Sequence, residues 1–268
     1  MLQSISLCDE IFFELRKDDR VSLTCDDAGL PAGDSNLVVR AARALSERHG
    51  ADIKLVKRVP AKGGLGGGSS NAAITLVALN QLWRLGLEDR KLKQIGARLG
   101  ADVPFFFDGG TAVATGTGTT VFVVADASKQ WLLIVTPNVS ISTATAYAAL
   151  NAPSLTTPES VSILARSFTG PFSGDSSQWP LHNDFEGVIF EMEPEIRRAK
   201  LALLEAGARG ALLAGSGSSV FGIFTDEAAR DQALEKLRCE AGWRVFACHT
   251  LSRSEYLQAI NRQSDTGA

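Results

Sequence analysis

A glycine-rich stretch suited to binding an anion lies between Pro60 and Asn71, with the sequence PAKGGLGGGSSN. Its glycines lack the Cβ atoms that block positive φ angles and keep a ligand away from the main chain. Ser69, Ser70 and Asn71 are residue types that cap helices, and the apolar run Ala72 to Trp83 predicts a largely buried helix. Unpaired amides and the positive dipole end of a helix N-terminus favour a phosphate group. The stretch therefore predicts a phosphate-binding loop, named here the glycine loop (Pro60–Ser70).

Other interpretations of the glycine loop are a flexible linker or a turn that serves packing alone. The strand-like run Ile53–Val56 before it and the helix after it favour anion binding. The loop is not a Walker A motif, because Lys62 precedes the glycines instead of closing the loop. Nor does it fit the dinucleotide-binding fingerprint, because the segment after it predicts helix followed by helix.

A carboxylate with few charged neighbours in sequence follows in LGADVPFFFDGG, at Asp102. Its position between a helix end and an apolar run suits an Asx-turn or a cap that holds the corner. The same surroundings suit a general base if a substrate hydroxyl lies nearby. The residue pattern leaves both interpretations open.

A second glycine-rich turn, AGSGSS (Ala214–Ser219), lies between the predicted strands Ala211–Leu213 and Val220–Phe224. It is named here the second glycine turn. It suits a tight hairpin, and it equally suits a wall of a phosphate site next to the glycine loop.

Composition narrows the class of protein. At 268 residues, with 45% apolar and 21% charged residues, the chain can bury a substantial core as one large domain or two lobes. A net charge of -3 argues against a nucleic-acid surface. We expect a cytoplasmic protein without membrane contact, since neither a signal peptide nor a spanning segment is evident. The four cysteines show no CxxC pairing, so we expect buried free thiols.

Alternating and helical patterns predict the elements that position these residues. Ser4–Leu15 and Val21–Cys25 predict strands joined as a hairpin by the charged turn Lys17–Arg20. Helices are expected from Asn36 to about His49 and over Asp89–Leu99, with Gly100 as C-cap. Further elements predicted from the sequence are strands at 111–115, 119–124, 131–135 and 243–248, and helices at 146–150, 161–167, 184–205 and 227–239. The polar segment 151–180 predicts a loop or flap.

The motifs together resemble those of the GHMP small-molecule kinases. PAKGGLGGGSSNAA (Pro60–Ala73) resembles their phosphate-binding motif, and AGSGSSVFGIF (Ala214–Phe224) is similar to their C-terminal glycine motif. LGADVPFF (Leu99–Phe106) and SNLVVRAA (Ser35–Ala42) resemble the branch that phosphorylates the C2 hydroxyl of 4-diphosphocytidyl-2-C-methyl-D-erythritol in non-mevalonate isoprenoid synthesis. The resemblance runs from the first residues to near Leu251.

The resemblance implies an α/β (α+β) fold with two lobes. The N-terminal, ribosomal-protein-S5-like lobe would span residues 1–130 and bind ATP, and the C-terminal, ferredoxin-like lobe would span residues 131–268 and bind substrate. The site would lie between them, and the protein would be a monomer or homodimer. Its cofactors would be ATP and Mg²⁺, and its partner a small molecule, not a nucleic acid or a membrane.

The resemblance also implies roles for individual residues. Asp102 would be the catalytic base and contact the substrate, Asn36 would lie by the adenine, and Ser69 or Ser70 would lie near Mg²⁺. The residues that would wrap the ATP phosphates are Pro60, Ala61, Lys62, Gly63, Gly64, Leu65, Gly66, Gly67, Gly68, Ser69 and Ser70. Those expected along the substrate are Thr143, Gly215, Ser216, Gly217 and Ser218.

One departure from the family's pattern bears on activity. In the family a catalytic lysine in a PAKxNL-like motif and a GYH motif come before the point that matches Met1, and Lys62 does not correspond to that lysine. We therefore expect this chain to bind ATP weakly and turn over slowly, and an N-terminally extended form to recover turnover. The alternatives are a family member acting on another alcohol, such as homoserine or a mevalonate-type substrate, and a non-catalytic nucleotide-binding remnant.

Overall fold

The strands form three sheets. The computed structural model describes residues 1–116, 118, 120–150 and 182–261. Within those ranges the sheet orders are β1-β5-β6, β2-β4-β3 and β10-β7-β9-β8. The strands are β1 (Leu2–Gln3), β2 (Glu10–Arg16), β3 (Val21–Cys25), β4 (Gly50–Val56), β5 (Thr111–Thr115), β6 (Thr120–Val123), β7 (Trp131–Pro137), β8 (Gly210–Leu213), β9 (Val220–Phe224) and β10 (Trp243–His249).

The first two long strands do not form the predicted hairpin. β4 lies between them, antiparallel to β2 and parallel to β3. The turn between β2 and β3 crosses the start of β4 at Gly50, where a Cβ would collide with the carbonyls of Asp18 and Arg20. Because a glycine stands there, β4 can enter the sheet beneath the turn. Its apolar residues Ala51, Ile53 and Leu55 are then buried as the centre of the sheet.

Helices cover this sheet and carry the chain toward the site. They are α1 (Leu37–Leu45), α2 (Gly67–Leu82), α3 (Asp89–Leu99) and a 3-10 helix (Val103–Phe107). The prediction for α3 is confirmed, with Gly100 at its C-cap. The prediction for α1 is right about its start and wrong about its end, which comes at Leu45 and not near His49.

Helix α2 begins at Gly67, five residues before the predicted apolar start at Ala72. Its N-cap is Gly66, with φ 70°, and not one of the polar residues that follow. Glycine is a poor helix former, so propensity alone places the start later. Packing overrides that preference, because a Cβ at Gly67 would lie 2.9 Å from the Val59 side chain. Only a glycine lets the helix begin so close to the chain that leads into the loop.

The second half of the chain is a four-stranded antiparallel sheet with helices on one face. The helices are α4 (Thr143–Leu150), α5 (Phe185–Met192), α6 (Pro194–Glu205) and α7 (Glu227–Leu237). The predictions of a new helix starting at Pro194 and of the two strands on either side of the second glycine turn are confirmed. Two helices differ in their bounds from the predictions: α4 begins at Thr143 and not at Ala146, and α7 ends at Leu237 and not at Cys239. The predicted segment 151–180 and helix 161–167 lie outside the described residues.

A final helix, α8 (Arg253–Asn261), has no counterpart among the elements predicted from the sequence. Ser252 and Glu255 form a capping box, since the Ser252 amide donates to Glu255 and the Glu255 amide to Ser252, at 2.8 and 3.3 Å. This S-x-x-E spacing was the signal available in the sequence. α8 leaves the C-terminal sheet and packs on the residues that follow Asp102, through the hydrogen bond from Tyr256 to Phe106.

The other face of the C-terminal sheet packs against the first half of the chain. Leu132 and Ile134 contact Ile5, Leu7 and Leu65, of which Leu65 belongs to the glycine loop. The two halves therefore meet at the predicted site.

All four cysteines are free, as expected, but only Cys248 is buried, while Cys8 and Cys239 are exposed. Among the helices in the described ranges, none has the length and apolar character needed to cross a bilayer.

Candidate active site

The glycine loop ends in an open helix N-terminus. The first intrahelical bond of α2 runs from the Ser70 amide to the Gly66 carbonyl, so the amides of Gly67, Gly68 and Ser69 have no acceptor within the helix. Among the described residues, no side chain caps this end. A Cβ placed on Gly68 would have a Leu37 methyl as its nearest neighbour, at 3.5 Å, so the loop is open on that side. Free amides at a positive dipole end are an arrangement that favours an anion, as the sequence predicts for this loop.

The second glycine turn closes directly on the glycine loop. Ser219 and Ser218 donate backbone hydrogen bonds to the carbonyls of Gly63 and Lys62, at 3.1 and 3.3 Å. Gly64, at φ 73°, lies so close to the Ala214 carbonyl that a Cβ would collide with it. The turn is therefore more than a tight hairpin. It packs against the glycine loop, and the interpretation that it lines bound phosphates stays a prediction.

Asp102 lies beside the same helix start. The residues on either side of it pack on α2: Phe106 places its ring 2.8 Å from the Cβ position of Gly66, and Gly100 has its Cβ position 3.8 Å from the Ser69 hydroxyl. Asp102 occupies the N-cap position of the 3-10 helix, yet its side chain makes no capping hydrogen bond to that described helix. The cap interpretation therefore lacks the contact it requires.

The Asp102 carboxylate is unpaired in the part of the chain that the structure describes. Within those ranges, no Lys, Arg or His lies within ion-pair distance of it. Asp102 is an exposed residue, but the surrounding protein removes part of the hydration of its carboxylate, and this desolvation raises the pKa of Asp102 above the ordinary aspartate value. A carboxylate with a raised pKa and no cation beside it is a better proton acceptor than an ordinary surface aspartate.

Ser69 and Ser70 supply neutral oxygen atoms in the first turn of α2. The Ser69 hydroxyl lies 3.8 Å from the Cβ position of Gly100. Mg²⁺ prefers oxygen ligands and is usually held by one or two protein groups together with the phosphates of its nucleotide. The residues present fit such an ion, provided that the phosphates complete its coordination.

Other predicted residues lie around this centre. Asn36 caps α1, accepting from the Val38 amide at 3.0 Å and donating to the Pro31 carbonyl at 2.8 Å. Its neighbour Leu37 contacts the loop at Gly68. Lys62 is exposed, with φ 56°. Thr143 and Ser216 are brought together, with 3.2 Å between their hydroxyl oxygens.

A buried charge pair that the sequence did not predict lies behind the loop. The Lys57 ammonium lies 2.5 Å from an Asp9 carboxylate oxygen, with side chains 7% and 1% exposed. Asp9 also accepts from the Asn71 side chain and from the amides of Arg58 and Val59, each at 2.8 Å. Asn71 thus binds Asp9 and does not cap α2. No spacing rule links residue 9 to residue 57, so the pair left little signal in the sequence.

Asn183 was missed as well. It lies just before α5, and its amide donates to the carbonyls of Leu213 and Gly215, at 2.9 and 2.7 Å. These bonds fix the start of the second glycine turn. Asn183 belongs to a polar stretch that carried no helical or strand pattern, so nothing in the sequence connected it with that turn.

A cavity of about 320 Å³ lies just before the glycine loop. Lys57, Arg58 and Val59 line it at the end of β4, and Arg244 lines it from β10. Residues from both halves of the chain therefore form the cavity. Because Val59 also packs against Gly67, the cavity adjoins the start of α2.

Comparison with known proteins agrees with this geometry. The family model for the GHMP kinases N terminal domain matches residues 36–110, which include the glycine loop and Asp102. The family model for the GHMP kinases C terminal domain matches residues 174–242, which include the second glycine turn. The chain belongs to the GHMP kinase family. Its mixed helices and sheets, in two parts that meet at the glycine motifs, are the two-lobed fold expected of a member.

Relatives of known name cover most of the chain. A 4-diphosphocytidyl-2-C-methyl-D-erythritol kinase from Geobacter sp. (strain M21) is 40% identical over 255 residues, 94% of this chain and 89% of the relative. The enzyme of the same name from Geotalea daltonii is 42% identical over the same length, with the same coverage. A crystal structure of 4-(cytidine 5'-diphospho)-2C-methyl-D-erythritol kinase has a TM-score of 0.71 and 30% identity, over 92% of this chain and 87% of that one.

More distant structures share the fold alone. Homoserine kinase from Cytophaga hutchinsonii is 22% identical, with a TM-score of 0.68, over 91% of this chain and 86% of that one. Identity at this level does not carry a substrate from one protein to the other. The similarity shows that the arrangement of elements is common to kinases of different alcohols.

Proposed function

We propose that this chain transfers the γ-phosphoryl group of ATP to the C2 hydroxyl of 4-diphosphocytidyl-2-C-methyl-D-erythritol. The observation that carries the proposal is the unpaired carboxylate of Asp102, placed among the described residues beside a helix start whose amides are free. Relatives named for this reaction cover 94% of the chain at about 40% identity, which supports the choice of alcohol.

The free amides of Gly67, Gly68 and Ser69 hold the phosphates of ATP, and the wall formed by the second glycine turn limits their movement. The cavity beside Lys57 and Val59 then takes the nucleoside part, with Asn36 near the base as the family resemblance implies. Mg²⁺, when bound at Ser69 or Ser70 with the phosphates, supplies charge neutralisation. Positioning and charge stabilisation are the main contributions that a protein makes to phosphoryl transfer.

The chemistry assigned to Asp102 is acceptance of one proton. The C2 hydroxyl gives its proton to the carboxylate as its oxygen forms a bond to the γ-phosphorus, and the bond from that phosphorus to the β-γ bridging oxygen breaks. ADP leaves with the electron pair, and the product is a phosphate monoester. Thr143 and Ser216 lie together at the C-terminal lobe, where the resemblance places the substrate. We also infer that the reaction takes place in the cytoplasm, where ATP is available.

The proposal is tested by the choice of alcohol. ADP formation is measured with MgATP and each of three alcohols, namely 4-diphosphocytidyl-2-C-methyl-D-erythritol, homoserine and mevalonate, at protein concentrations close to those of the substrates. Such concentrations make even slow turnover measurable. We expect ADP to form with the first alcohol well above the rate without any alcohol. A faster reaction with homoserine or mevalonate would contradict the proposed substrate.

A further inference from the structure

The residues at the start of α5 hold the strand that leads into the second glycine turn. The Asn183 side-chain amide donates to the carbonyls of Leu213 and Gly215, at 2.9 and 2.7 Å. The Leu213 amide donates to Glu186 at 3.0 Å. The Asn183 side-chain oxygen accepts from the Phe185 amide, also at 3.0 Å. Because carbonyls only accept and backbone amides only donate, these partners fix which way the Asn183 side chain faces.

The hydrogen bond to the Gly215 carbonyl also sets the direction of the next amide in the chain. The peptide bond between Gly215 and Ser216 is trans, so its carbonyl and its N–H point in opposite directions. Since Asn183 holds the carbonyl, the Ser216 N–H points away from Asn183. Within the described ranges, neither this amide nor that of Gly215 has an acceptor. Consecutive free amides at a left-handed residue, here Gly215 at φ 52°, are an arrangement that favours an anion.

The two free amides lie on the part of the turn that touches the glycine loop. The Cβ position of Gly215 is 3.2 Å from the Gly64 carbonyl oxygen, in the middle of that loop. The Ser216 side chain is held separately, through the 3.2 Å contact of its hydroxyl with Thr143. The amides are therefore fixed from one side by Asn183 and lie on the other side next to the loop that is proposed to bind phosphate.

We propose that Asn183 is a positioning residue, which presents the Ser216 amide to a phosphate oxygen of a bound substrate. This role rests on the proposed function, which puts the phosphates of ATP at the glycine loop. The γ-phosphoryl group of ATP is the expected ligand, because the second glycine turn packs on that loop, and the diphosphate of the alcohol has the same chemistry. A donor held in place before the reaction stabilises charge on phosphoryl oxygens without further reorganisation. Asn183 acts through the peptide that precedes Ser216 and does not contact the reacting atoms.

The Ser216 amide can be observed directly by ¹H–¹⁵N NMR of the chain labelled at serine, with its resonance assigned by its loss in Ser216→Ala. The probes are the magnesium complex of the non-hydrolysable analogue β,γ-imido-ATP, MgADP, and 4-diphosphocytidyl-2-C-methyl-D-erythritol alone. We expect the amide proton to shift downfield with the ATP analogue and not with MgADP, which lacks the γ-phosphate. A shift with the alcohol alone would assign the amide to the diphosphate instead. An unshifted Ser216 with either ligand, while the analogue shifts the Ser69 amide, would overturn the inference.

Asn183→Asp tests whether the asparagine sets the direction of this amide. The variant keeps the oxygen that accepts from the start of α5, but it places a second oxygen against two carbonyls. We expect the shift of Ser216 with the ATP analogue to be lost. The single-turnover rate of phosphoryl transfer should fall about 10-fold to 100-fold, while ATP affinity stays within about twofold, because the donor acts on the transition state.

Glu186→Gln is the matched control, because Glu186 holds the same strand through Leu213 but does not contact the turn. It removes the ion pair with Lys200, so Tm should fall while the rate and the Ser216 shift are kept. Equal losses of rate and Tm in Asn183→Asp and Glu186→Gln would reduce Asn183 to a structural residue. A Ser216 shift without turnover of the alcohol would support the role of Asn183 and contradict the proposed alcohol. If the unchanged chain bound neither ligand, both proposals would fail.

Discussion

The backbone amide of Ser219 donates a hydrogen bond of 3.1 Å to the carbonyl of Gly63. This bond joins two glycine motifs that lie in different halves of the chain, and the Ser219 hydroxyl extends the connection to Thr136 at 2.7 Å. Ser219 is fully buried at this junction. The glycine loop is therefore held in place by the C-terminal sheet and not by its own sequence alone.

Gly64→Ala should disrupt this junction. The new Cβ would meet the Ala214 carbonyl, and alanine is strained at the φ of 73° that Gly64 adopts. We expect weaker ATP binding and a lower Tm, measured by calorimetry and thermal unfolding. Gly187→Ala is the matched control, because Gly187 lies in α5 with no described atom within 4 Å of its Cβ position. Gly187→Ala should raise the free energy of unfolding by up to about 1 kcal/mol. A similar stabilisation by Gly64→Ala would contradict the described junction.

Asp102→Asn should stop phosphoryl transfer without preventing nucleotide binding. The amide keeps the shape of the side chain but cannot take a proton from the alcohol, so the single-turnover rate should fall about 10²–10⁴-fold. ATP affinity should stay within about twofold, since Asp102 is not one of the groups that hold phosphate. Asp89→Asn, at an exposed aspartate at the start of α3, should leave the rate unchanged. Loss of ATP binding in Asp102→Asn would argue against a role as base.

The pH dependence of the rate should show the raised pKa of Asp102. A base must be ionised to accept a proton, so the rate should fall on the acid side through a pKa above the ordinary aspartate value of about 3.9. The free energy of unfolding should change in the opposite direction from the rate, and fall as pH rises. Desolvation disfavours the charged carboxylate in the folded state, so its cost appears as pH rises through the unfolded pKa, and Asp102→Asn should raise Tm at neutral pH. Unchanged Tm together with an acid limb at or below about 3.9 would refute the assigned environment.

Asp9→Asn should destabilise the fold. It leaves the Lys57 ammonium buried without its carboxylate, which typically costs about 3–5 kcal/mol in the free energy of unfolding. Denaturant unfolding measures the change. Glu240→Gln removes a carboxylate from an exposed pair with Arg198 and should cost less than about 1 kcal/mol. Similar losses in both variants would mean that the Asp9–Lys57 pair is solvated and does not support the loop.

The sequence predicted well those elements whose local signals agree with their packing. α3 runs from Asp89 to Leu99 as its apolar spacing indicates, and the strands around the second glycine turn lie where predicted. The glycine loop and Asp102 were identified from residue types, and the structure brings them together through Gly100 and Phe106.

What the sequence did not predict depends on contacts between distant residues. The predicted hairpin between β2 and β3 does not form, because β4 lies between these two strands. Gly50 lets β4 pass beneath the turn that joins them, and no local sequence pattern predicts that crossing. Helix α2 begins at Gly67 and not at the predicted Ala72, because packing against Val59 outweighs the low helix propensity of glycine. Helix α8 did carry a capping signal, at Ser252 and Glu255, but the contact of its Tyr256 with Phe106 appears only in three dimensions.

The identity of the phosphorylated product tests the proposed reaction most directly. The chain is incubated at near-stoichiometric concentration with MgATP and 4-diphosphocytidyl-2-C-methyl-D-erythritol, and the mixture is followed by ³¹P and ¹³C NMR. We expect ADP and one new phosphate monoester, with phosphorus coupling to the tertiary C2 carbon of the methylerythritol. Phosphate release without a new ester, or an ester at a different carbon, would contradict the proposed reaction.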